Sequence, residues 1–144
     1  MTNRKENNLT ITRIFSSPVE DVYSAWIDPE QIVKWHAPAG GEVLKASVDL
    51  KVGGQYNIEM KSDCIKPVVS GKYIEIKKSK RLIYTWQWNG ENQPITQVTV
   101  EFRPIEDKTE VTLTHHRFVD VDSKDKHESG WNGCLDSLEN FIKN

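Results

Sequence analysis

Residues 9–15, LTITRIF, set Leu9, Ile11, Arg13 and Phe15 against Thr10, Thr12 and Ile14, an alternation that predicts a strand. The pattern then turns helical in SSPVEDVYSAWIDPEQIVKWHAP. Val19, Val22, Tyr23 and Trp26 fall at i, i+3, i+4 and i+7, one apolar face of a first helix. Ser17 is expected to cap it, with Pro18 at the first helical position and Glu20 completing a capping box. Asp28, Pro29 and Gln31 repeat that design, predicting a short second helix over 29–35.

From residue 42 to 117 the period is two. Leu44, Ala46, Val48 and Leu50 run in phase, as do Tyr56, Ile58 and Met60, and Gly53 and Gly54 between them supply hairpin chemistry. Further strands are expected at 67–77, 81–88, 95–103 and 109–117, with NGENQP and PIEDKT as loops. Six strands in sequence with short connections predict an antiparallel meander. The final segment is helical again. Trp131, Leu135, Leu138 and Ile142 make its apolar stripe, Cys134 and Phe141 widen it, and Asp122 or Ser123 is placed to cap it. The order is strand, two short helices, six strands, long helix. Sheet and helix each have one apolar face to bury, so an α+β architecture with a curved sheet gripping the long helix is expected.

Composition narrows the function classes. At 144 residues the chain is read as one domain, residues 9–144, behind a polar lead-in of residues 1–8. Such a domain buries roughly 68–70% of its unfolded surface and needs no staples. A net charge of −2 offers no field for nucleic acid or an anionic membrane. Lys77, Lys78, Lys80 and Arg81 read as a solvated hairpin turn. Cys64 and Cys134 do not form a disulfide framework, no stretch is long enough for a membrane span, and MTNRKENNLT lacks the core of a signal peptide. A cytoplasmic location follows as the expectation.

One strand raises a sharper question. In RLIYTWQWNG, Leu82, Tyr84, Trp86 and Trp88 share a face. Either these rings fill a core or they line a space for a ligand. Gly130 and Gly133 flank Trp131 in the last helix, at a cost of about 1 kcal/mol each relative to alanine. They serve either close helix–sheet packing or ligand room.

Chemistry-bearing residues are few. His115, in phase with Val111 and Leu113, should point inward and His116 outward. A satisfied buried histidine and an acid–base or anchoring group both fit His115, the best catalytic candidate. No pair among His36, His115 and His127 has the spacing of a recognised zinc site, so no metal is expected. Cys134 reads as a small buried hydrophobe, and Cys64 beside Asp63 has nothing to lower its pKa. No nucleophile elbow, P-loop or dinucleotide fingerprint is present.

The pieces TRIFSSPVEDVYSAWIDPEQIVKW, DLKVGGQYNIEM, SGKYIEIKKSKRLIYTW, TEVTLTHHRF and HESGWNGCLDSLENFI stand in order across nearly all of residues 10–142. In combination they resemble the START-like, birch-pollen-allergen-like helix-grip superfamily (SRPBCC), in the branch named after the heat-shock-protein-90 ATPase activator homologue. Trp35-His36 stand where that family carries W-W or W-x after the second helix. The resemblance implies a seven-stranded antiparallel sheet wrapped on the C-terminal helix, with two short helices between strands 1 and 2. It also implies an internal cavity that binds apolar or amphipathic molecules without a cofactor, and places His36 and His127 at its mouth. On that geometry the lining comprises Trp35, His36, Tyr56, Ile58, Met60, Tyr73, Tyr84, Trp86, Trp88, Phe102, Leu113, His115, His127, Trp131 and Cys134. The tyrosine hydroxyls, indole N–H groups and His115 are its polar contacts.

Three functions follow as expectations. The first is binding of an apolar small molecule. The second is a cyclase, dehydratase or hydrolase using His115 or a cavity tyrosine. The third is a cochaperone-like module, the weakest, because the family's cochaperones carry a separate N-terminal domain for which this sequence has no counterpart. A homodimer is compatible with such folds; Ile83 and Val43 are expected on the outer face.

Overall fold

The computed structural model describes residues 8–37, 41–61, 66–89, 94–118 and 120–143. Its elements are β1 (Leu9–Phe15), α1 (Val19–Ile27), α2 (Pro29–Trp35), β2 (Glu42–Val48), β3 (Gln55–Lys61), β4 (Val68–Lys77), β5 (Arg81–Trp88), β6 (Thr96–Ile105), β7 (Lys108–His116) and α3 (Val121–Lys143). The strands form one seven-stranded sheet in the order β1-β7-β6-β5-β4-β3-β2, every pair antiparallel. β2 to β7 are a meander, and β1 closes onto β7, so α1 and α2 carry the chain from one sheet edge to the other.

The inner face is continuous. Tyr56, Ile58, Met60, Leu82, Tyr84, Trp86, Val98, Val100, Phe102, Val111 and Leu113 are all buried, together with Trp131, Leu135 and Leu138 of α3. α1 and α2 close one end, where Tyr23 and Trp26 meet Phe102 edge-on and Trp35 donates its indole N–H to the Ala25 carbonyl at 2.9 Å. Arg13 of β1 ties the sheet edge to α3 through Asp136 at 2.6 Å.

Several expectations need correction. β2 carries a bulge between Val43 and Lys45, so Leu44 is 47% exposed while Val43, Ala46 and Val48 pack inward. The extra residue resets the alternation, and Val43 lies on the face opposite to the one expected. Ser17 does not cap α1: the N-cap is Pro18, with no side-chain bond, and the Ser17 carbonyl accepts from the Thr109 hydroxyl instead. The second signal acts as expected, Asp28 accepting from the Glu30 backbone N–H at 3.0 Å with Pro29 behind it. α3 starts earlier than expected, with the Asp120 carboxylate accepting from the Ser123 N–H at 2.8 Å. β6 and β7 consume most of PIEDKT, leaving Glu106 and Asp107 as a two-residue turn. The basic run does form the β4–β5 turn, but Arg81 is paired with Glu75 at 2.6 Å. Cys64, Asp63, most of the lead-in and most of NGENQP lie outside the described residues.

One unpredicted glycine shapes the sheet. A Cβ on Gly71 of β4 would stand 1.9 Å from the Thr85 carbonyl oxygen. The missing side chain lets Tyr56, the cross-strand partner of Gly71, reach the same oxygen with its hydroxyl at 2.5 Å.

Candidate functional site

Between the inner face of the sheet and the first half of α3 lies a cavity of about 300 Å³. Alternation on β5 delivers Trp86 and Trp88 to it, β3 delivers Met60, and the end of α2 delivers His36. From α3 the helical period brings Lys126, His127, Gly130, Trp131 and Cys134 onto one wall. The rings stand close: Trp86 and Trp131 have centroids 5.0 Å apart, and Trp86 meets Trp88 at 86°. Gly130 is part of the reason the space exists, since a Cβ there would meet nothing within 4 Å. It is not needed for close packing of helix on sheet.

Of the residues singled out from the sequence, His36, Met60, Trp86, Trp88, His127, Trp131 and Cys134 line this cavity. Tyr56, Ile58, Tyr73 and Tyr84 line a second space of about 10 Å³ beside it, which His36 also touches. Such a volume holds about one water. Trp35, Phe102, Leu113 and His115 line neither; they are core beneath the helices or behind the cavity wall. His36 is not at the mouth. It is 3% exposed, stacked on Trp86 with ring centroids 5.8 Å apart. The rim position belongs to half-buried His127 and exposed Lys126. Lys126 was missed as lining, because only the register of α3 against β5 reveals what it faces; Gly130, read from the sequence as serving either packing or ligand room, lines the cavity.

Hydrogen bonds fix the protonation of two histidines. Trp131 Nε1 donates to His115 Nδ1 at 2.9 Å, and the Thr96 hydroxyl donates to the Trp86 carbonyl at 3.1 Å. The Thr96 oxygen therefore accepts from His115 Nε2–H at 2.6 Å, and His115 is neutral with both nitrogens used. Burial, with His127 and His116 adding like charge, holds its pKa well below the usual range. His127 is the other tautomer: Nδ1–H donates to the Ser123 carbonyl at 2.8 Å and Nε2 accepts from Trp88 Nε1 at 2.8 Å. Burial lowers its pKa too, partly offset by the Ser123 bond. Neither imidazole keeps a lone pair for a metal or a proton from a ligand. Among the described residues no three His, Cys, Asp or Glu side chains converge on a metal position. Burial lifts the Cys134 thiol to about 12, so it presents a neutral, inert wall.

The family model of the Activator of Hsp90 ATPase homolog 1-like proteins matches residues 16–143. The chain belongs to that family. Solved structures repeat the whole architecture. Protein CV1439 of Chromobacterium violaceum is 25% identical with a TM-score of 0.84, over 96% of this chain and 98% of its own. Protein NE0264 of Nitrosomonas europaea is 26% identical with a TM-score of 0.82, over 96% and 95%. CalU16 of Micromonospora echinospora, 24% identical with a TM-score of 0.73 over 94% and 75%, shares the fold. No curated protein matches the chain. In this member of the family no described helix is long and apolar enough to cross a membrane. The helix-grip expectation drawn from the sequence holds in element order, strand number and topology.

Proposed function

We propose that this protein binds an apolar or amphipathic small molecule in the cavity between the sheet and α3. The observation that carries this reading is the cavity itself: about 300 Å³, walled by Trp86, Trp88, Trp131, Met60 and the bare backbone of Gly130. Ligand sites are concave, mostly apolar and marked by a few placed polar groups, and about 300 Å³ is the lower end of their range. Membership of the helix-grip superfamily supports the reading; the catalytic alternative loses its best candidate, because His115 is closed off behind Trp131 and Thr96. The test is a titration with an apolar fluorescent probe, read through tryptophan emission, on the wild type and Trp88→Leu. Saturable one-to-one quenching that weakens in the variant is expected. A cooperatively folded protein that shows no saturable binding would sink the proposal.

A further inference from the structure

Four of the five tryptophans donate their indole N–H to a partner: Trp26 to the Tyr84 hydroxyl, Trp35 to the Ala25 carbonyl, Trp131 to His115 and Trp88 to His127. The four acceptors are not equivalent. A backbone carbonyl does not titrate near neutral pH, and burial pushes the Tyr84 hydroxyl further into alkali. His115 is fully buried with both nitrogens spent. His127 is half-buried at the cavity rim, beside exposed Lys126. Of these four bonds, the one from Trp88 is the one mild acid can undo.

An indole nitrogen only donates, so His127 Nε2 accepts at 2.8 Å and carries no proton while the bond lasts. A proton arriving at Nε2 turns that acceptor into a second donor, and two N–H groups then oppose each other. The imidazole stays anchored, because Nδ1–H is bound to the Ser123 carbonyl at 2.8 Å. Trp88 is the freer partner. It is the last residue of β5 and half-buried, and the register of β5 with β6 ends at Trp86–Thr96, so the ladder holds Trp88 from the β4 side, through Val69. Around His127 stand neutral His115 of β7, Phe118 and Trp88, with ring centroids at 5.1, 4.8 and 6.1 Å. Its charged neighbours along α3 are Lys124, Lys126 and Glu128, and Lys126 is paired with Asp122 at 3.3 Å. None of the ion pairs among the described residues includes His127, so no carboxylate is paired with an imidazolium there. Burial lowers the pKa of His127 below the usual 6.5 or so while the bond is closed. The proton therefore favours the open arrangement, and the closed one is lost as pH falls below that range.

We infer that the Trp88–His127 bond is a pH-operated latch on the cavity: closed at neutral pH, and released when His127 takes up a proton, so that Trp88 leaves the wall and a bound molecule is held less tightly. This rests on the binding function proposed above. Nitrogen-15 NMR of the indole groups in the full chain follows the latch with no ligand present. From about pH 7.5 to about pH 5, the Trp88 Nε1–H signal is expected to shift with the midpoint of His127 and to exchange faster with water. The Trp26 and Trp35 signals should stay in place, their acceptors being unable to titrate there. His36, with a pKa of about 4, stays neutral over most of that range. The neutral probe N-phenyl-1-naphthylamine, titrated at both ends of the range, should bind about fivefold or more weakly at the lower pH. His127→Gln keeps an acceptor at every pH and should lose this dependence. His116→Gln, at a histidine bound to Gln97 away from the cavity lining, should keep it. A Trp88 signal that stays fixed down to about pH 5 in the folded protein overturns the latch, and so does a His127→Gln variant whose affinity still falls with acid. If the Trp88 signal moves but the probe binds equally at both pH values, control of binding falls and the cavity reading stands. If the probe fails to saturate a cooperatively folded protein at about pH 7.5, the cavity reading falls and the latch on it with it.

Discussion

Replacing Gly130 by leucine separates the stability of α3 from the emptiness beside it. Glycine in a helix interior costs about 1 kcal/mol relative to alanine, and leucine recovers most of that. Ordinarily a larger residue inside a packed interface costs about 1–3 kcal/mol of overpacking. Here a Cβ meets no atom within 4 Å and open cavity lies beside it, so the overpacking term is small and the helix term dominates. The side chain then enters the cavity that Gly130 lines, space a ligand would use. Gly130→Leu is therefore expected to gain about 1 kcal/mol in urea unfolding. It should also lose about tenfold or more in affinity for an apolar probe, since the leucine must be displaced. Gly130→Ala should gain similar stability with little change in binding, because a methyl group takes little of the space. Two results would refute the reasoning. A loss of stability in Gly130→Leu means the space is already filled; a gain with unchanged probe affinity means the probe sits elsewhere.

Three further substitutions probe the frame around the cavity. Burial holds His36 at about 4 against an unfolded value near 6.5, so the unfolded chain takes up the proton first and stability falls as pH drops through that window. About 2.5 pH units at about 1.4 kcal/mol each make about 3.5 kcal/mol; His36→Phe should reduce the pH dependence of urea unfolding, to which buried His115 also contributes, and an unchanged slope would refute the assignment. His115→Ala strips the partner from the Trp131 N–H and leaves a hole, so a loss of about 3 kcal/mol in urea unfolding is expected; a loss under about 1 kcal/mol would contradict the closed network. Gly71→Ala drives a methyl into the Thr85 carbonyl and should cost at least about 3 kcal/mol or prevent folding, and near-wild-type melting would refute the close approach.

What the sequence makes legible is what local periodicity controls. Trp86 and Trp88 alternate with Thr85 and Gln87, so their sharing a face needs no tertiary information. The 3.6-residue period likewise puts Trp131, Cys134 and Leu138 on one stripe. Leu44 escapes this logic because a bulge adds a residue to one strand only, and nothing in EVLKASV marks the position. Ser17-Pro18 and Asp28-Pro29 look alike in sequence, but only Asp28 caps; the Thr109 hydroxyl bound to the Ser17 carbonyl comes from β7, ninety-two residues along the chain. The site divides in the same way. Phe102 and Leu113 lie on the same sheet face as Trp86, yet α1, α2 and α3 cover different parts of that face, and cover decides between core and cavity. The space beside Gly130 depends on what lies across from it, which one strand or one helix read alone does not contain.

The polar groups around the cavity show a division of labour. Thr96–His115–Trp131 and Ser123–His127–Trp88 are two relays, each ending on an indole in the cavity wall. Each histidine is neutral and saturated, so each acts as a brace that fixes a ring from behind and offers nothing to the interior. A wall braced in this way loses little freedom when a ligand enters, which lowers the entropic cost of binding. It also makes those rings indifferent to ligand polarity, since their N–H groups are already spent. The unpartnered nitrogens of Trp86 and His36 are likewise enclosed and do not face the open space. Substitutions at His115 or His127 should therefore loosen the wall and alter stability before they alter ligand preference.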